Sequence, residues 1–103
     1  MITLTINEKY AIVKILSQIM EADGIIDTKE EEYMNKVYVE LGIKINDIED
    51  IANIDDIQAK IIIKGMSDDN KNYARLLFVG MAESDGYMHP KEIEIINDIF
   101  LSQ

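Results

Sequence analysis

One short pattern occurs twice in this chain, 62 positions apart (85 − 23 = 62): Glu21-Ala-Asp23-Gly24-Ile-Ile26-Asp27-Thr-Lys29-Glu30 and Glu83-Ser-Asp85-Gly86-Tyr-Met88-His89-Pro-Lys91-Glu92. Each copy holds an acid, an Asp-Gly reversal, an apolar residue two places on, a helix-starting residue and a glutamate three later. Glycine enters positive φ at no steric cost and aspartate bonds the backbone just beyond it, so each copy is a tight turn between two helices. Carboxylates flank the turn on both sides, an arrangement that can hold a cation or simply cap helices.

The flanking periodicity is helical. From Glu8 to Met20, Ile12, Val13, Ile15, Leu16, Ile19 and Met20 recur at three- and four-residue spacing, with Thr5 and Glu8, or Asn7, to cap the start. A second helix begins at Asp27, turns Tyr33, Met34, Val37, Tyr38 and Leu41 inward, and closes at Gly42. Asn46 to Ala52 and Asp55 to Lys64 read as two further helices. Ile61-Ile62-Ile63 favours strand, but Gln58-Ala59-Lys60 favours helix and no partner strand is evident. The segment from Ser67 or Asp68 through Ala82 is apolar on nearly all sides at Tyr73, Ala74, Leu76, Leu77, Phe78, Val79 and Met81, the mark of a helix surrounded by others. The last helix starts at His89 and Pro90, where proline suits a first helical position, and buries Ile93, Ile96, Ile99 and Phe100. The expectation is an all-α, compact single-domain bundle of five to six helices spanning residues 1–103, with the repeated motif at 19–34 and 81–96.

Composition narrows the function. Twenty acids against ten bases give a formal charge of −10, which repels phosphate backbones and anionic lipid, so nucleic acid and membranes are disfavoured and metal cations or basic proteins favoured. There is no cysteine, which removes disulfides, thiolate catalysis and sulfur-ligated zinc. The N-terminus lacks the basic start and apolar run of a signal peptide, and no stretch approaches the ~18 uninterrupted apolar residues of a membrane span, so a cytoplasmic location is expected, with no membrane insertion.

Asp27 with Glu30, and His89 with Glu92, stand where a cap and its reciprocal glutamate belong. Capping does not explain Glu21, Asp23, Glu83 and Asp85, which sit at or past a helix C-terminus, where the dipole disfavours negative charge. Lys29 and Lys91 can neutralise part of this charge; a divalent cation is the other compensator, and oxygen donors on a turn suit calcium, magnesium or manganese. The turn is similar to the second half of an EF-hand loop, but Ile19 and Met81 occupy the opening ligand position, and Glu21 and Glu83 the next.

Over most of its length the chain resembles the TerB-like family, named for tellurite-resistance proteins, in which an apolar helix is followed by Ala/Ser-x-Asp-Gly-x-Ile/Val-x-x-x-Glu and a second apolar helix. Both copies fit, at Ala22 or Ser84 through Glu30 or Glu92. The resemblance implies an all-helical domain of two related halves whose turns meet in one negative patch. Carried over by position, that patch comprises Asp23, Asp27, Glu30, Asp85 and Glu92, with Glu21 and Glu83 nearby; His89 replaces an acid in the second copy. It also implies a bacterial stress or metal-related context and a sensor or assembly module rather than an enzyme.

His89, the lone histidine, reads as a cap, and the tyrosines Tyr10, Tyr33, Tyr38 and Tyr73 as core residues with hydroxyls at the surface. Tyr87 stands in the second turn as a contact residue or as packing across the turns. Glu30-Glu31-Glu32 reads as a solvated helix start. Three functions are consistent with these residues: a divalent cation at the joined turns, an acidic face docking a basic protein, and a carboxylate-pair hydrolase. The last lacks any nucleophile with an oriented base or any phosphate loop, so a non-enzymatic role is expected.

Overall fold

Reciprocal side-chain caps set where the helices begin. Thr5 Oγ1 accepts the Glu8 N–H at 3.1 Å while the Glu8 carboxylate accepts the Thr5 N–H at 2.8 Å, so Thr5 rather than Asn7 opens α1, Ile6–Glu21. Asp27 opens α2, Thr28–Leu41, which ends on Gly42 in the left-handed region. α3, Ile45–Ala52, and α4, Asp56–Lys64, follow, and Ser67 caps α5, Asp68–Glu83. Pro90 takes the first position of α6, Pro90–Phe100. These come from a computed structural model that describes residues 3–22, 24, 27–84, 86 and 88–101.

The protein is an all-α single-domain bundle, with six helices and no strand among the described residues. Its radius of gyration is 12.6 Å, against about 13 Å for a compact chain of this length. The 62-residue offset extends well beyond the turn motif. α1 shifted by 62 gives both ends of α5 (6 + 62 = 68, 21 + 62 = 83), and α6 starts where shifted α2 does (28 + 62 = 90). α3 and α4 are the connection between two copies of one helix pair.

The central helix is α1, not α5 as the all-round apolar pattern suggested. Ala11, Ile12, Ile15, Leu16 and Ile19 are fully buried, and α1 packs against each of the other five helices. α5 has an open face: Leu76 is 67% exposed. Tyr73 and Val79 are partly buried, Ala74, Leu77, Phe78, Met81 and Ala82 are buried, and Phe78 meets Phe100 of α6 with ring centroids 6.0 Å apart. Ile61-Ile62-Ile63 lies within α4, where Ile63 reaches the core and Ile61 faces solvent.

Helix direction places the turns. α1 and α5 start at one end of the bundle, where the Asn70 side chain donates to the Thr3 carbonyl at 3.1 Å. α2 runs back against α5, with Tyr33 packed on Gly80 and its hydroxyl donating to the Leu77 carbonyl at 2.9 Å. No described helix is long and apolar enough to cross a membrane.

Candidate functional site

The packing of the four repeated helices is crossed. The start of α2, at Lys29, Glu32 and Tyr33, shares a surface depression with Ser84 at the end of α5. The start of α6, at Lys91, Glu94 and Ile95, shares another with Ala22 at the end of α1. Because only short turns join α1 to α2 and α5 to α6, both repeated turns come to the same end of the bundle.

Within each turn the local bonds match. The Gly24 N–H donates to the Glu21 carbonyl at 3.0 Å and the Gly86 N–H to the Glu83 carbonyl at 2.9 Å. Gly24 takes φ +77° and Gly86 φ +85°, which fold the backbone back at the helix end. Asp27 Oδ1 then accepts the Lys29 N–H at 2.8 Å, and His89 Nδ1 accepts the Lys91 N–H at 3.2 Å. The two glutamates close the boxes: Glu30 Oε1 accepts from the Asp27 N–H at 3.2 Å and Glu92 Oε1 from the His89 N–H at 2.9 Å.

The site residues expected from sequence therefore divide by structural duty. Asp27, Glu30 and Glu92 are helix caps, as the capping pattern required. Glu30 and Glu92 are also buried, each 2% exposed, which corrects the reading of Glu30 as part of a solvated acidic run; Glu31 and Glu32 remain exposed. The spacing showed that Glu30 reaches back, but not that it is buried. Glu21 and Glu83 are exposed at the ends of α1 and α5. Asp23, Asp85 and Tyr87 lie outside the described residues. Among the described residues no group of three or more histidines and acids is close enough to hold a metal ion.

Sequence reading missed a second anchoring acid. Asp47 Oδ2 accepts the Lys44 N–H at 2.8 Å, and its Oδ1 accepts from the Tyr10 hydroxyl at 2.6 Å, tying the start of α3 to α1. The hydrogen bond to the Asp47 carboxylate pushes the Tyr10 phenol up to about 12, and the same bond holds the Asp47 carboxyl below its ordinary value. Two surface ion pairs tie α4 to its neighbours, Lys60 to Asp98 at 2.8 Å and Lys14 to Asp56 at 3.9 Å. No family model, curated protein or solved structure matches this chain.

Proposed function

We propose that this chain is a TerB-like, non-enzymatic acidic domain whose working surface is the bundle end where the two Asp-Gly turns converge, and that this surface binds a divalent cation. The crossed packing of α1 with α6 and α2 with α5 supports the reading, because it brings the ends of α1 and α5, from which the two Asp-Gly turns leave, to one end of the bundle. Calcium, magnesium or manganese suits the oxygen donors, with Asp23 and Asp85 as principal ligands and Glu21, Asp27, Glu30, Glu83 and Glu92 around them. The resemblance to the family adds a cytoplasmic, bacterial stress or metal-related context. A titration followed by amide NMR tests the proposal. Millimolar calcium, magnesium or manganese is expected to move Gly24 and Gly86 selectively and to lose that effect in Asp23→Asn with Asp85→Asn; unmoved glycines end the metal role.

A second reading is that this end docks a basic protein without metal. It is favoured by the exposure of Glu21 and Glu83, which leaves carboxylates facing solvent on the two parallel helix ends. Asp23→Lys with Asp85→Lys is expected to abolish salt-sensitive binding of the partner. Binding indifferent to both substitutions would exclude this surface.

A further inference from the structure

Along the C-terminal half of α1, that helix, α3 and the start of α4 enclose a groove of about 410 Å³, of which the cation reading uses Glu21 alone. Its walls include the buried Val13 and Ile51, with Tyr38 from α2 beside them. Ile48 stands at the opening, 43% exposed, so the groove offers an apolar side chain directly to solvent. The volume falls in the range of sites that enclose a small ligand or a few bulky side chains.

The polar rim selects the occupant. Lys14 is already engaged: its Nζ donates to the Ala52 carbonyl at 3.2 Å and stands 3.9 Å from Asp56. Glu21 closes the rim at the end of α1. Asp56 stands on the rim at the start of α4, and the segment 45–56 that supplies the α3 wall contains five acids and not one lysine or arginine. A second copy of this chain, itself at −10, would meet that wall with like charge, and an anionic lipid surface is repelled in the same way. An amphipathic segment with bulky apolar side chains and flanking lysines or arginines satisfies both the apolar walls and the acidic rim.

We infer that this groove is a docking site for a basic amphipathic peptide segment of a partner protein, independent of any cation at the turns. The test uses the full chain in chelator with three synthetic peptides of equal length: Leu/Lys amphipathic, Leu/Glu amphipathic, and Lys/Ser without apolar residues. Saturable binding of the Leu/Lys peptide alone is expected, with amide shifts centred on Ser17, Ile48 and Ile51. Ile48→Ser should weaken it on the order of tenfold, whereas Ile61→Ser, exposed on α4 outside the groove, should leave it unchanged. Absence of saturation, equal binding of the Lys/Ser or Leu/Glu peptide, shifts centred elsewhere, or an Ile48→Ser variant that binds as well as the original would each overturn the inference.

Discussion

Glu30 and Glu92, 62 positions apart, carry out one task in the two halves of the molecule. Each is buried at the third position of its helix, and each accepts the backbone N–H of its own cap residue, Asp27 or His89. A carboxylate placed there meets the positive end of a helix dipole as well as a backbone donor, which is why burial is tolerable. The two halves also pack crosswise: the end of α5 lies beside the start of α2, and the end of α1 beside the start of α6.

Truncating either glutamate should therefore destabilise the fold. Glu30→Ala or Glu92→Ala removes the reciprocal cap and leaves a covered backbone donor without its acceptor, at a cost of about 1–3 kcal/mol each in urea denaturation. Gln at either position keeps an acceptor of the same shape and should cost less than half as much. Alanine variants as stable as the parent would show that these bonds contribute little.

Gly80 leaves room for Tyr33 of α2 to lie directly against α5. A Cβ there would fall onto the Tyr33 hydroxyl and within 2.8 Å of its ring Cζ, and the ring is held by its bond to the Leu77 carbonyl. Alanine at an ordinary helical glycine gains about 1 kcal/mol, so a net loss in Gly80→Ala would report the clash. The expected net loss is about 1–2 kcal/mol, largely recovered when Tyr33→Leu removes the ring. Equal or higher stability of Gly80→Ala alone would show that the tyrosine yields without cost.

Most of this fold is readable from local chemistry. Thr5 with Glu8, Asp27 with Glu30 and Gly42, and His89 with Pro90 name their helix boundaries because a cap is a contact between near neighbours in the chain. Helix rank in the bundle is a different kind of property. α5 looks more surrounded than α1, yet Leu76 is open and α1 is central, since which face is covered depends on where α3 and α4 return. For the same reason the burial of Glu30 and the Tyr10–Asp47 bond, which joins residues 37 apart, left no trace in local spacing. The two turns could be recognised as related from the sequence; their arrival at one end is a consequence of the crossed packing.

The turn glycines isolate backbone strain from packing. At both Gly24 and Gly86 a Cβ would meet no atom within 4 Å, so alanine there is opposed only by positive φ. Each substitution should cost about 1–2 kcal/mol, and asparagine, which visits this region more readily, should cost less. Equal losses for Ala and Asn would point to a cause other than backbone conformation.

The Tyr10–Asp47 bond should give stability a defined pH window. Asp47 titrates below its ordinary value in the folded chain, so its contribution is present above the unfolded carboxylate range and is lost as pH falls through the folded value. Tyr10 is raised from 10.0 to about 12, so its contribution is complete below pH 10 and fades as pH rises from there towards 12. Tyr10→Phe removes the donor and with it the cause of both shifts, although Asp47 keeps the Lys44 N–H. The stability difference between parent and Tyr10→Phe should therefore be flat from about pH 5 to 9, then shrink towards acid as Asp47 protonates and towards alkali as Tyr10 ionises. Urea denaturation across that range measures it directly. A difference that stays constant from acid to alkali would mean that ring packing, and not the hydrogen bond, holds α3 to α1.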